Sequence, residues 1–446
     1  MYILYNLILW TFSLAALPWL LAKLVSSGKN REIFAQKLGF IPAEIMALMK
    51  GEPRIWVHAV SVGEVSAIHP LIRQFRENFP EGCLMLSTGT ESGQKIARER
   101  VLEATTTFFF PWDLSFVVRR VIRRMRPDLF ILAETEIWPN FLRIAKEEGA
   151  KTMLVNGRIS DRSCNRYRKT RFFWTAVLDH LDAMSMIRVQ DGERIISMGA
   201  NPVQVFVNGN CKFDQAAFSA DSVFREEMKR LLEVEEQDLL FIAGSTHEGE
   251  EEAVLQAFLK IRQRYPGMIL VLVPRHVDRT ARVEKLLTRY GVNDFIRRSR
   301  IESVRRQGKR VVLWDTFGEL FKVYSVGTIV FCGASLVPKR GQNILEPAAW
   351  GKVVLYGPSM EDFIDAHQLL QSVGAGIMVR NGEELAERCL YLLDQPQELK
   401  RRGEAGKEAL LAQRGATRRN FELAKKLMVG QTIQESEEAI KERMEI

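Results

Sequence analysis

Ile55-Trp56-Val57-His58-Ala59-Val60 runs into Ser61-Val62-Gly63-Glu64, and after an amphipathic stretch to residue 79 the chain turns apolar again at Cys83-Leu84-Met85-Leu86-Ser87. A short uncharged run with no polar alternation reads as a strand covered on both faces. Between two such runs, apolar residues at helical spacing make one helix. Strand, helix, strand is the right-handed crossover unit of a parallel sheet. This unit decides the fold class, which is α/β.

The alternation continues outward. Strand-like runs follow at 107–110, 129–133, 152–155, 183–189 and 203–207, with helical stretches such as 138–148 between them. A polar, helical connector covers 214–237, and the pattern then restarts at 239–243, 269–273, 311–313, 328–331 and 353–356. Residues 297–309 read as a charged loop or frayed helix, and the chain is helical from 398, with a charged, frayed end at 435–446. The expected organisation is an anchor at 1–24, a first Rossmann-like domain at 30–210, a connector at 211–237, a second such domain at 238–412, and a C-terminal helix and tail at 413–446. Two doubly wound domains facing across a cleft would bind ligand at the carboxyl ends of their strands.

Length agrees, because 446 residues exceed what one core usually serves. No charge occurs before Lys23, so the first 22 residues suit a helix about as long as a hydrocarbon core is thick. Trp10 and Trp19 suit interfaces. Lys23, Lys29, Arg31 and Lys37 all follow the apolar run, which places the remainder in the cytoplasm. A secretory signal would put basic residues first and a small-x-small cleavage site last, and neither is clear in this segment. A helix lying along the interface or docked on the protein is the competing reading, and Pro18 weakens a straight span. The net charge of +8, with arginines at 119, 120, 123, 124 and 126 and again from 158 to 171, suits anionic lipid. No nucleic-acid signature accompanies it. Five scattered cysteines and the lack of Asp-x-Asp or His-Glu-x-x-His give no metal site and point to a reduced, metal-independent protein without a cofactor.

Several strand ends carry chemistry. Glu64 at the first crossover suits proton abstraction from a hydroxyl, yet Ser61 and Glu64 also spell a capping box. Glu134-Thr135-Glu136 puts two carboxylates on one side of an extended segment, where they repel, or else serves only a helix start. Arg158 and Arg162 suit an anionic group. Gly244-Ser245-Thr246-His247-Glu248 and Pro274-Arg275-His276 read as anion-binding turns, although Ser245 and Glu248 also fit a cap. Cys332-Gly333-Ala334-Ser335 leads through Lys339-Arg340-Gly341-Gln342 to Asn343-Ile344-Leu345-Glu346-Pro347, a basic glycine loop running into a helix. Phosphate would meet the loop, and Glu346 would take the hydroxyls of a ribose.

Taken together, the blocks 56–64, 134–140, 156–163, 209–214, 244–248, 315–320 and 333–347 resemble the 3-deoxy-D-manno-oct-2-ulosonic acid (Kdo) transferases of Gram-negative bacteria. The resemblance runs through almost the whole chain in order. It implies the GT-B fold and inverting transfer of Kdo from CMP-Kdo to the lipid A precursor, at the cytoplasmic face of the inner membrane and beside its anionic lipid. By position it makes Glu64 the general base and gives Glu134 and Lys212 transition-state roles. It implies CMP contacts at Ser245 and Thr246, at Pro274 and Arg275, at Phe317, Gly318 and Glu319, and at Asn343, Ile344, Leu345 and Glu346. Two departures stand out. Where the family reads Gly-Gly-His-Asn this chain has Arg340-Gly341-Gln342-Asn343, and Gly-Gly-Ser is here Gly333-Ala334-Ser335. Other sugar-nucleotide enzymes of the same fold, including an epimerase using a UDP-sugar, and a non-catalytic scaffold are the alternatives.

Overall fold

The computed structural model describes residues 2–26, 28–218 and 222–430. Residues up to 215 together with the return segment from 414 form one compact unit, and 216–413 form a second. The first holds strands β1 (Arg54–His58), β2 (Cys83–Thr88), β3 (Thr106–Phe109), β4 (Leu129–Ala133), β5 (Lys151–Gly157), β6 (Ala183–Met186) and β7 (Val205–Val207). They form one parallel sheet in the order β3-β2-β1-β4-β5-β6-β7. The second holds β8 (Leu240–Thr246), β9 (Ile269–Pro274), β10 (Phe295–Arg297), β11 (Val311–Leu313), β12 (Ile329–Cys332), β13 (Val354–Tyr356) and β14 (Gly376–Met378), also parallel, in the order β10-β11-β9-β8-β12-β13-β14. Both sheets are doubly wound.

Burial explains the uncharged runs. Every residue of β2, β4, β8 and β9 is buried, because helices cover both faces of each sheet. Trp56 is fully buried among Phe108, Phe130 and Phe141, and its indole N–H reaches the Ser87 hydroxyl at 2.8 Å.

Several boundaries differ from the sequence reading. The strand expected at 183–189 stops at Met186, and Val189 opens the helix Val189–Ser197. There the buried Asp191 accepts from the Ile159 N–H at 3.0 Å and from Arg188 Nε at 3.0 Å, anchoring the helix start. The run at 203–207 begins as a 3-10 turn, Pro202–Gln204, because Asn201 caps it and proline leads it. Of the two readings of 297–309, charged loop or frayed helix, the second holds for Arg298–Val304, which follows the end of β10. The connector is two helices, Cys211–Phe218 and Ser222–Leu232.

The expected C-terminal helix forms as Ala416–Met428, and the difference lies in its placement: Phe421, Ala424 and Leu427 belong to the first unit's core, with Phe421 against Phe75. Asp214 fixes the return, accepting from Gly415 N–H at 2.7 Å and Thr417 N–H at 2.6 Å. The tail at 435–446 lies outside the described residues.

The expected N-terminal helix forms as Tyr2–Ser26, and among the described residues no helix is long and apolar enough to cross a membrane. The expectations for Pro18, Trp19 and Lys23 fall on side chains outside the described ones. One face of the helix, at Tyr2, Tyr5, Asn6 and Leu9, turns to the protein. Tyr5 donates to the buried Asp113 at 2.8 Å, Asn6 exchanges amide hydrogen bonds with Asn140 at 2.8 and 3.1 Å, and Arg143 lies over the Tyr2 ring. The other face leaves Ile3, Leu4, Leu7, Ile8 and Phe12 exposed. The polar contacts hold the helix down. Tyr5→Phe combined with Asn6→Ala removes about 2 kcal/mol of hydrogen bonding. The helix in that variant is expected to be clipped by a protease about tenfold or more faster than in the parent, read by limited proteolysis; equal rates would mean the contacts do not hold it.

Candidate functional site

In a doubly wound sheet the crossovers change side where neighbouring strands run out in opposite directions, and a crevice opens at their carboxyl ends. In the first sheet that point lies between β1 and β4, and in the second between β8 and β12. Glu64 and Glu134 stand at the first place, and Ser245, Thr246 and the loop 333–346 at the second; Arg158, Lys212, Arg275 and Phe317 to Glu319 follow β5, β7, β9 and β11.

After β1, Ser61 caps the helix Val62–Asn78. Glu64 Oε2 accepts from the Val60 N–H at 2.7 Å, and its Oε1 from the Ser61 hydroxyl at 3.1 Å. The Ser61 cap is formed, with the Glu64 N–H on the Ser61 hydroxyl at 3.4 Å, but the Glu64 carboxylate takes the Val60 N–H in place of the Ser61 N–H of a capping box, and capping does not exhaust Glu64. Burial, opposed by the Val60 N–H and assisted by the charges of Glu134 and Glu136, pushes its carboxyl up to about 7. The cap fixes the side chain's direction while the surroundings tune its basicity.

After β4, Glu134 takes a left-handed backbone at φ +58°, which a side chain adopts only at a cost and which concentrates at functional positions. Its Oε1 accepts from Lys212 Nζ at 2.7 Å. Lys212 comes from the connector helix Cys211–Phe218, whose start is set by Asn156 Oδ1 accepting from the Cys211 N–H at 3.0 Å. Asn156 is likewise left-handed, at φ +55°. Glu136 is raised by burial and by Glu134. Glu64, Glu134, Glu136 and Lys212 thus form one electrostatically linked group, and the structure brings together all three residues expected to be catalytic. Sequence reasoning quoted Glu136 without a role; its signal was the second carboxylate itself. His58 is fully buried and stacked on Phe110, with burial holding its imidazole down at about 3.

Of the expected anion contacts nearby, Arg158 is half-buried with no ion pair among the described residues, and the Arg162 side chain lies outside them. The arginines of 119–126 are partly committed: Arg119 pairs with Glu147 and Glu148, Arg123 with Glu148, and Arg120 lies over the Phe40 ring.

In the second unit, Ser245, the last residue but one of β8, sits at φ +55° and is buried with Thr246. The cap expected from Ser245 and Glu248 does not form. The helix begins at Glu250 behind a left-handed Gly249, and Glu248 is exposed. The N–H groups expected to be free for an anion are instead partly taken: His247, Ala334, Ser335 and Leu336 all donate to Glu250. Pro274 ends β9 and is buried, and the Arg275 guanidinium that follows is exposed with no partner among the described residues, so it remains available to a phosphate. Phe317 is exposed, Gly318 is left-handed, and Glu319 is occupied by Arg298 at 2.8 Å, Thr316 at 2.5 Å and Trp314 at 3.2 Å.

The departures at 334 and 340 have a shared geometry. Ala334 sits at φ +58° and Arg340 at φ +70°, both where glycine is the unstrained choice. Arg340 is held by Asp362 at 2.8 Å and by its N–H on the Ser359 hydroxyl at 2.9 Å, so its charge is spent on the neighbouring loop. Asn343 Oδ1 accepts from the Leu345 N–H at 3.2 Å, and its amide donates to Glu346 at 3.3 Å, ahead of a helix of five residues, Leu345–Ala349. The N-cap position of that helix is Ile344, so the cap expected from Asn343 and Glu346 does not form, and the Asn343 side chain instead ties the end of the loop to the first helical turn. Among the described residues no three His, Cys, Asp or Glu side chains gather as a metal-ligand set.

Comparison with known proteins gives a consistent picture. Residues 32–215 match the family model described as 3-Deoxy-D-manno-octulosonic-acid transferase (kdotransferase). A 3-deoxy-D-manno-octulosonic acid transferase of Haemophilus influenzae is 32% identical over 90% of this chain and 92% of its own length. One from Chlamydia pneumoniae is 30% identical over 87% and 88%. Among solved structures, a UDP-N-acetylglucosamine 2-epimerase superposes with a TM-score of 0.58 at 14% identity, covering 87% of this chain and 99% of that one. At that identity the likeness is one of fold.

Proposed function

Since the chain belongs to the 3-deoxy-D-manno-octulosonic acid transferase family, we propose that it transfers Kdo from CMP-Kdo to a hydroxyl of the lipid A precursor with inversion, using Glu64 as general base. The glycosyl transfer serves lipopolysaccharide biosynthesis. Its finer points rest on one observation above all: a half-buried glutamate at the switch point of the first sheet, held by its own cap and raised to about 7. Such a group is ionised enough at neutral pH to accept a proton and basic enough to hold it.

In this reading the acceptor hydroxyl gives its proton to Glu64 as its oxygen attacks the anomeric carbon of Kdo. The bond from that carbon to the CMP phosphate oxygen breaks, and the electron pair leaves with CMP. Positive character grows on the sugar and negative charge on the phosphate. Glu134, paired with Lys212, suits the first, and Lys212 and Arg275 suit the second. Ser245, Thr246, Pro274, Phe317, Gly318, Glu319 and the segment Asn343 to Glu346 are the proposed CMP contacts, with Arg275. No metal is assigned a role.

We also assign the protein to the cytoplasmic face of the inner membrane. The exposed Ile3, Leu4, Leu7, Ile8 and Phe12, opposite the polar docking contacts of Tyr5 and Asn6, support attachment along an anionic lipid surface.

The test is mass spectrometry of lipid A precursor after incubation with the protein and either CMP-Kdo or UDP-sugars. Addition of Kdo mass is expected with CMP-Kdo alone, and unchanged when EDTA is present. Activity only with UDP-sugars would overturn the donor. Loss in EDTA with recovery on adding magnesium would overturn the metal-free mechanism.

A further inference from the structure

Glu250 opens the helix Glu250–Arg264 and is fully buried. Its carboxylate lies where the turns after β8 and β12 meet. Oε2 accepts from the His247 N–H at 2.9 Å and the Ala334 N–H at 2.7 Å; Oε1 accepts from the N–H groups of Ser335 and Leu336, both at 2.9 Å. An ionised carboxylate offers about four lone-pair sites, and all four are filled by main-chain donors. A concavity of main-chain N–H groups is an anion-binding device, and here the protein supplies the anion itself. The approach requires glycine next door. A Cβ at Gly333 would fall 2.5 Å from the Ser245 carbonyl oxygen and 2.8 Å from Glu250 Oε2.

The pinned turn holds others in series. The Ala334 carbonyl accepts from the Gly341 N–H at 2.8 Å, and the Ser335 carbonyl accepts from the Ser359 N–H at 3.0 Å. The Ser335 hydroxyl accepts from the Gly357 N–H at 2.8 Å. Ser359 in turn receives Arg340. The loop that ends in Asn343 to Glu346 is therefore positioned from Glu250 outward, through groups that never reach solvent at Glu250 itself.

We propose that Glu250 is a positioning residue for the nucleotide donor: a built-in carboxylate that fills the amide nest between the β8 and β12 turns and so fixes the loop 333–346 in its donor-binding shape. The proposal deepens, and rests on, the reading of that loop as the CMP site. It assigns Glu250 no contact with the donor.

The experiment compares the full-length parent with Glu250→Gln and Glu250→Ala, reading CMP affinity by calorimetry and the KM of each substrate. Glutamine keeps the size of the side chain, but its one carbonyl serves two of the four N–H groups while its NH2 opposes the others. Glu250→Gln is expected to weaken CMP binding at least tenfold and to raise the KM for CMP-Kdo in step, with the KM for the lipid acceptor unchanged. A purely structural role would lower the melting temperature without that split. In Glu250→Ala, added formate is expected to refill the nest and recover CMP affinity at least fivefold, where equal chloride does not. Should Glu250→Ala fail to fold, Glu250→Gln alone decides. CMP affinity within twofold of the parent in Glu250→Gln, or no formate rescue in a folded Glu250→Ala, overturns the positioning role while leaving the donor reading intact. A parent that does not bind CMP overturns both.

Discussion

Glu64→Gln is expected to lower kcat by about a thousandfold while leaving the fold and the binding of CMP in place, because positioned general bases contribute about 10²–10⁴ in rate. Glutamine retains one oxygen for the Val60 N–H, so the helix Val62–Asn78 keeps most of its cap. It has no lone pair basic enough to take the acceptor's proton. In the parent, kcat/KM is expected to fall tenfold per pH unit below about 7, where the raised carboxyl of Glu64 takes up its proton. Residual activity of the variant should lack that limb. A rate–pH profile of both proteins, with melting temperatures at each pH, checks the point. A variant that keeps more than a tenth of parental kcat would remove Glu64 from the chemistry.

The same shift has a consequence for stability. Glu64 is raised from 4.5 to about 7 in the folded chain, so the native state holds this proton more tightly than the unfolded one. Its contribution to stability is present in full below about pH 4.5 and lost as pH rises through about 7. The parent is therefore least well served by this residue under the conditions where it would act, as expected of a side chain kept for chemistry rather than for folding.

How far the sequence reveals this protein varies from element to element in a physically intelligible way. The long uncharged strands, such as Leu129–Ala133 and Ile269–Pro274, are legible because both faces are covered and composition alone betrays them. Phe295–Arg297 and Gly376–Met378 are not, since three residues at the sheet's edges carry too short a period to register. Glu64 and Glu134 were legible because strand ends and acidic pairs are conspicuous, whereas Lys212, inside the helix Cys211–Phe218, was marked only by the family resemblance. Glu250 was hidden: in the run Glu250-Glu251-Glu252 it reads as an ordinary acidic helix start. Only long-range contacts separate them, burying Glu250 under amides from residues 84 to 86 positions away and pairing Glu251 with Arg279 at 2.7 Å. The Ser61–Glu64 ambiguity dissolved differently, since the cap and the raised carboxyl belong to one side chain.

Lys212→Met should cost about a hundredfold in kcat, the lower end for removing one group that stabilises transition-state charge. Methionine keeps the length of the side chain, and Asp214 continues to hold the return segment by Gly415 and Thr417, so the effect reports charge rather than collapse. The substitution also strands Glu134, whose carboxylate has Lys212 as its ion-pair partner at 2.7 Å. An unpaired Glu134 repels the ionised form of Glu64 more strongly, so the acid limb of the kcat/KM profile should move to higher pH. Glu134→Gln should move it the opposite way, because one of the charges raising Glu64 is gone. The double variant then decides whether the two residues act as a unit. If they do, its loss in kcat is less than the product of the two single losses, and its acid limb lies near that of Glu134→Gln alone. Limbs that stay fixed in all three variants would reduce the Lys212–Glu134 contact to a structural ion pair and would leave Glu64 tuned by burial and Glu136 alone.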